Sequence, residues 1–458
     1  MFQANNLHLR QVSLRKLLIS YYPLLSILIG FLLVSLSIGP YNNGDTLREY
    51  DAVSSILKSG LPVISNGYLM DEPPVGFYVH ALFFKLFGAS IDNGLFTILL
   101  LGLGCIALVY AIGTVTYNKT TGFFAALLFA FTPWHLILSR SFLIDVPCLF
   151  FSLLCLLTGL LAFRRGSLWL LLSSGIFFAV AFNTKLYAVF VLIPLIALYF
   201  HLQAPKLRHI AVWFVIFSIP VIISTILWYQ VIAGVGLSAI YVHGDLTTHN
   251  SNVLSATPLF AFNFLVSYGV GWFFIDAVIL SLFIVFWQRR LFKEFLVIDA
   301  IWIATAICII GVNTYLGAFL DLKPPYLNAI KYDYQALPFL SFLAGGLVTK
   351  NVILLKLKRV NKKNAISLVS IALGFFLIAA TILYNFRFIN MLTGWDYLIF
   401  RVAPSINEGY SLFNPAPIGA DSSLLLGQFL GFAIAISGIL YLGRHKLRIL
   451  VNNKRGTF

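Results

Sequence analysis

The chain is written in long apolar runs separated by short polar or basic stretches, and most of the runs have the roughly 17 to 25 residues that cross the hydrocarbon of a bilayer. About twelve spanning helices (11 to 13) are predicted, near Leu17 to Ile38, Gly94 to Thr116, Gly122 to Leu138, Val146 to Phe163, Leu168 to Phe182, Ala188 to His201, Ile210 to Ile232, Phe264 to Trp287, Phe295 to Val312, Tyr334 to Thr349, Ala365 to Tyr384 and Leu424 to Leu442. Between Pro40 and Gly94 the pattern changes, because the apolar positions recur at helical spacing without forming a spanning run. Asp45 precedes Leu47, Tyr50, Val53 and Leu57, which predicts an amphipathic helix capped by Asp45 and stopped at Gly60. A second helix is predicted from Pro73-Pro74 through Phe77, Tyr78, Ala81, Leu82 and Leu86 to Gly88. Both are expected to lie in the interface plane, flanking the segment Leu61 to Glu72.

Composition fixes the class as an all-α polytopic membrane protein. Of 458 residues 60% are hydrophobic and 10% charged, and the mean hydropathy is +0.92, which excludes a soluble multi-domain protein. The net charge of +15 does not point to nucleic acid, because the basic residues cluster between spans. With the N-terminus inside, alternate connections hold Arg10, Arg15 and Lys16; Lys119; Arg164 and Arg165; Lys206 and Arg208; Arg289, Arg290 and Lys293; Lys350, Lys356, Lys358, Arg359, Lys362 and Lys363; and Arg444, Lys446, Arg448, Lys454 and Arg455. These are 22 of the 31 Lys and Arg, the asymmetry expected of cytoplasmic connections. Both termini are therefore expected in the cytoplasm, and the acidic connections outside. The first run lacks a small-residue cleavage site and reads as a retained anchor. Two modules are expected: residues 1–232 with the outer loop 40–93, and residues 233–458 with outer loops near 233–263, 313–333 and 385–423.

The four cysteines, Cys105, Cys148, Cys155 and Cys308, lie in apolar runs without metal-ligand spacing and read as core filler. Asn118-Lys119-Thr120 matches a glycosylation sequon but falls on the side expected to be cytoplasmic. His80, His135 and His243 have no partners at metal spacing. Trp134, Trp228, Tyr229 and Trp272 fit the aromatic belt. No phosphate-binding Gly-rich loop and no internal repeat is present.

Asp45, Arg140, Asp145 and Lys185 stand out, since an ionisable group at the membrane costs a few kcal/mol unless it meets a cavity or a partner. All four fall on the outer side of the expected topology. Arg140 and Asp145 are expected either to meet substrate or to pair with each other; Lys185 could also snorkel.

The run Gly44-Asp45, Glu49-Tyr50, Ser59-Gly60-Leu61-Pro62, Asn66-Gly67, Glu72-Pro73-Pro74-Val75-Gly76-Phe77-Tyr78 and Leu86-Phe87-Gly88 resembles the first luminal loop of the protein O-mannosyltransferases and the lipid A aminoarabinose transferases, which share the membrane glycosyltransferase fold GT-C. Ser139-Arg140, Asp145-Val146-Pro147 and Asn183-Thr184-Lys185 extend the resemblance, and Lys331-Tyr332 with Leu337-Pro338-Phe339 is similar to the basic-Tyr segment opening a late span. Two positions depart from it. Thr46 stands where the family usually has a second acid, Glu49 being the next one, and Glu72 stands where the aminoarabinose transferases have a Lys that helps hold the lipid phosphate.

The resemblance implies a GT-C fold and an integral-membrane transferase that moves a sugar from a polyprenyl phosphate, dolichyl or undecaprenyl, to a hydroxyl on protein, lipid or glycan at the outer face of the cell membrane, with inversion. An acceptor hydroxyl needs a carboxylate to take its proton, which makes Asp45 the expected base. The departing phosphate needs positive charge, for which Arg140, Lys185 and Lys331 are candidates. Glu49, Glu72, Asp145 and Tyr332 complete the expected substrate-binding set, and a divalent cation is a possible addition. A diphosphate-using transferase of the same fold would be expected to carry a large soluble domain, which is not expected here, the last predicted span lying about sixteen residues from the end. A secondary transporter or lipid flippase is the other reading, but transporters place charges near the midplane, whereas here they gather at one face.

Overall fold

The computed structural model describes residues 14–37, 44–70, 72–203, 207–235, 262, 265–319, 333–356, 365–394 and 429–439. Among them the architecture is helical: α1 (Leu14–Ser37), α2 (Gly44–Ser59), α3 (Val75–Phe87), α4 (Ile91–Thr116), α5 (Lys119–Ala130), α6 (Pro133–Leu138), α7 (Asp145–Arg165), α8 (Leu168–Phe182), α9 (Leu192–Leu202) and α10 (Leu207–Val235). They are followed by α11 (Trp272–Trp287), α12 (Lys293–Phe319), α13 (Leu337–Lys356) and α14 (Ala365–Gly394), then by α15 (Phe429–Ile439). A 3-10 turn (Leu186–Val191) precedes α9, and another (Tyr334–Ala336) opens α13.

Six of the described helices are long and apolar enough to cross a membrane, and seven more are apolar but shorter. The predicted span Leu168 to Phe182 is met at both ends by α8. Gly122 to Leu138 is not one rod: α5 ends at Ala130, Thr132 adopts an extended conformation, and Pro133 starts α6. Proline has no N–H to donate and is best accommodated in a helix's first turn. The run from Ala188 opens in the 3-10 turn, and that from Phe264 as a single π-type turn, Leu265–Val270, before Gly271.

The centre of the bundle is α13, most of whose apolar stretch is buried, while α10 at the edge buries almost none of its own. Around α13 pack α5, α11, α12 and α14; α4, α7 and α8 continue the bundle. Small residues permit the close approaches, as where the Gly345 position sits against the backbone of Ala125.

The loop after α1 folds as its periodicity predicts. α2 stops before Gly60 and α3 before Gly88, both at positive φ, 79° and 96°, which glycine adopts without strain. One correction concerns Asp45. The helix starts at Gly44, so Asp45 stands in its first turn instead of capping it, where a carboxylate still complements the helix dipole. Between α2 and α3 an antiparallel bridge joins Val63 to Leu69.

One further sequence expectation changes. Lys350, grouped above with the basic connections, is fully buried in α13. Its Nζ donates to Asp299 Oδ2 and to Ser281 Oγ, both at 2.6 Å, and Tyr117 OH donates to the other oxygen of Asp299 at 2.5 Å. The cation can lie inside only because an acid on α12 meets it there. Asn118, the sequon residue, is the N-cap of α5, its Oδ1 accepting from the N–H groups of Thr120 and Thr121, so its side-chain oxygen has a structural role.

Candidate functional site

The α2–α3 loop is pinned to two corners of the bundle. The first corner is the stretch between α6 and α7, which carries Arg140, Phe142 and Asp145. Phe142 is fully buried, with its ring stacked on Phe84 of α3 at 5.7 Å and near His80 at 4.8 Å and Tyr50 of α2 at 6.4 Å. One aromatic side chain thus gathers both loop helices onto the segment that bears Arg140 and Asp145. The second corner follows α8. The Val75 N–H donates to the Asn183 carbonyl at 2.8 Å, and Gly76 lies so near Thr184 that a Cβ there would come within 2.7 Å of its methyl. Glycine at 76 is what lets α3 seat against Thr184.

These corners hold the candidate residues at one end of the molecule. Asp145, the first residue of α7, and Lys185 are both buried, and Lys185 Nζ donates to Asp145 Oδ1 at 2.9 Å. The Asp145 partner is therefore Lys185, not Arg140 as the spacing allowed. Asp145 Oδ2 has no hydrogen-bond partner. Arg140, half-buried, stands in a turn with Asp92 in electrostatic reach; burial lowers its pKa from the usual arginine value, and Asp92 opposes that.

On α2, Asp45 Oδ1 meets Arg48 at 3.2 Å, with the Asp45 side chain 28% exposed. Glu49, four residues on and so on the same helix face, is buried. Thr46, in the place of the second family acid, is buried as well. Glu72 is half-buried just ahead of α3. Lys331 and Tyr332 lie outside the described residues.

His80 and His135 take structural places, and His243 lies outside the described residues. His80 is buried against Phe142 with neither ring nitrogen hydrogen-bonded, and burial pushes its pKa down to about 3. His135 Nδ1 pairs with the Tyr334 hydroxyl at 2.7 Å, between the rings of Phe31 and Phe129. Among the described residues no three His, Cys, Asp or Glu side chains gather as metal ligands.

Two groups at the same end escape the sequence reading. Asp333, directly before the turn Tyr334–Ala336, is fully buried, and its Oδ1 accepts from Asn313 Nδ2 of α12 at 2.9 Å. Burial raises its carboxyl to about 7, the Asn313 hydrogen bond pulling the other way. The signal was present, since Asp333 follows the Lys331-Tyr332 pair directly. The other group is Phe142, which no composition rule separates from the 42 other phenylalanines of the chain.

Residues 71–229 match the family described as dolichyl-phosphate-mannose-protein mannosyltransferase. A Bacillus subtilis (strain 168) protein named "Putative mannosyltransferase YkcB" is 28% identical over 188 residues, 39% of this chain and 26% of that protein. Its similarly named relative YycA is 30% identical over 131 residues, 29% of this chain and 19% of YycA. The matched stretch thus spans about a quarter or less of the length of these curated relatives. The crystal structure of ArnT from Cupriavidus metallidurans bound to undecaprenyl phosphate superimposes with a TM-score of 0.54 at 17% identity, covering 93% of this chain and 78% of that one. The chain is a polytopic helical membrane protein of the GT-C glycosyltransferase fold.

Proposed function

We propose that the protein is a membrane glycosyltransferase that takes a sugar from a polyprenyl phosphate and passes it to a hydroxyl acceptor with inversion. The observation that carries this reading is the docking of the α2–α3 loop, through Phe142 and Asn183, onto the two corners that hold Arg140 and the Asp145–Lys185 pair. It supports a site in which a carboxylate on the loop faces cations on the bundle. The match of residues 71–229 to the mannosyltransferase family covers α3, both corners and most of α10.

The acceptor hydroxyl attacks the anomeric carbon while the bond from that carbon to the phosphate oxygen breaks. Asp45 takes the hydroxyl proton, and the phosphate leaves with the bonding electron pair. Arg140 and Lys185 together supply the positive charge the departing phosphate needs, and Asp145 holds the Lys185 ammonium in place. Glu49 and Glu72 line the acceptor side, with Lys331 and Tyr332 further substrate contacts. A transporter reading draws no support from an intramembrane pair as well satisfied as Lys350 with Asp299.

The test uses the purified chain with undecaprenyl phosphate as probe. Arg140→Ala is expected to weaken lipid binding by about tenfold or more, the effect of losing a charge-assisted hydrogen bond, while Arg140→Lys retains part of it. Unchanged affinity in Arg140→Ala removes Arg140 from the phosphate site.

The reading also places the α2–α3 loop outside the cytoplasm, since Asp45, Glu49, Asp51, Asp71 and Glu72 make it acidic. Ser65 is exposed there. A cysteine placed at Ser65 is expected to react with an impermeant thiol reagent on intact cells; reaction only after the membrane is opened would invert the topology.

A further inference from the structure

Asp333 and Asn313 hold each other by one hydrogen bond and leave the remaining oxygen of each side chain unused. Asp333 Oδ2 and Asn313 Oδ1 are both buried and have no hydrogen-bond partner, and the two residues are 0% and 4% exposed. A buried acceptor left without a donor costs about 1 to 3 kcal/mol, so two side by side are an uncommon arrangement. They are also well placed. The turn Tyr334–Ala336 touches the turn Leu186–Val191, which begins directly after Lys185, and α12 touches both turns. Tyr334 itself lies within electrostatic reach of Asp145. The unused oxygens therefore stand beside the Asp145–Lys185 corner and not in a remote part of the bundle.

What they can bind follows from their chemistry. Two acceptors repel a phosphate and attract hydroxyl or ammonium donors. A metal ion fits poorly, since among the described residues no third carboxylate, imidazole or thiolate joins them. A monosaccharide presents adjacent hydroxyl donors at close spacing, and a site that hydrogen-bonds a hydroxyl discriminates strongly against ligands lacking it. We propose that Asp333 and Asn313 form a subsite that reads hydroxyl groups of the transferred sugar, and so help set which sugar the enzyme uses. The proposal rests on the transferase reading above and deepens it: Arg140 binds the phosphate, and the Asp333–Asn313 pair binds the sugar.

The experiment compares undecaprenyl phosphate with undecaprenyl-phosphate mannose, glucose and arabinose, as ligands for binding and as donors for transfer, using the full chain in lipid nanodiscs. The variants are Asp333→Asn, which is nearly isosteric, and Asn313→Leu, which removes the amide. Both are expected to weaken binding of the preferred sugar-bearing lipid by about tenfold, the effect of one lost hydrogen bond, while binding of bare undecaprenyl phosphate stays within about twofold, the scatter expected of an interaction left untouched. Preference among the three sugars should shrink in step. Equal weakening for bare and sugar-bearing lipids in both variants, or weakening for neither, overturns the subsite and leaves the two oxygens to a buried water. A parent protein that transfers sugar while the variants keep its sugar preference defeats the subsite alone. A parent that transfers sugar from none of the lipids defeats the transferase reading, and the subsite with it.

Discussion

Asp45→Asn is expected to lower sugar transfer by about 10²-fold or more, the usual contribution of a positioned general base, with folding and lipid binding kept. Asparagine has nearly the same volume and can still accept a hydrogen bond from Arg48, which stands 3.2 Å from the Asp45 carboxylate. The structural loss includes a partly exposed ion pair, well under about 1 kcal/mol, and a first-turn charge interacting with the helix dipole, about 0.3 to 1 kcal/mol. The chemical loss is much larger, because an amide cannot take the proton of an attacking hydroxyl. The measurement is single-turnover transfer from undecaprenyl-phosphate mannose, with undecaprenyl phosphate binding as the control. Near-parental transfer by the variant would make Asp45 a helix-terminus residue and pass the base to Glu49, which is buried one helical turn away on the same face.

The loop that carries Asp45 was the most legible part of the chain. Its helices announce themselves through local rules: apolar spacing of three and four, prolines at one start, glycines at both ends. Such rules work where a helix is amphipathic. They fail in the bundle, where every face is apolar and a run of hydrophobic residues says little about where the backbone bends. Gly122 to Leu138 reads as one span because only Pro133 marks the break at Thr132. The partners of buried charges were equally hidden, since pairing is a property of the fold: Asp145 meets Lys185 from 40 residues away, and Asp299 meets Lys350 from 51. A lysine shortly before a basic connection looks like part of it until an acid on a neighbouring helix is found beside it. Hence the sequence placed the candidate residues at one end of the molecule but could not say that Lys185 is already engaged, nor that Phe142 seats the loop. Asp333 was missed for a different reason. Attention fell on the cation and the tyrosine before it, though an acid at the mouth of a buried helix is as costly as either.

The Lys350–Asp299 pair should be where the bundle is most sensitive to a single substitution. Both side chains are essentially fully buried, and four helices meet there: α4 ends beside Tyr117, α11 brings Ser281, α12 brings Asp299 and α13 brings Lys350. Lys350→Met removes the cation and strands a carboxylate in apolar surroundings, which costs about 3 to 5 kcal/mol. Removing both charges is a different perturbation. In Lys350→Met/Asp299→Leu no buried charge remains, and apolar replacement of a whole pair is often neutral or even stabilising. The double variant is therefore expected to unfold nearer the parent midpoint than Lys350→Met does, as read from thermal unfolding in nanodiscs. Lys350 lies 17 residues beyond Asp333, so at 1.5 Å per residue the pair stands about 25 Å along α13 from the end that carries the candidate site. Undecaprenyl phosphate binding by the folded fraction should accordingly stay close to parental in the double variant. If the double variant is no more stable than the single one, the two charges contribute independently, and the pair is not what joins the four helices.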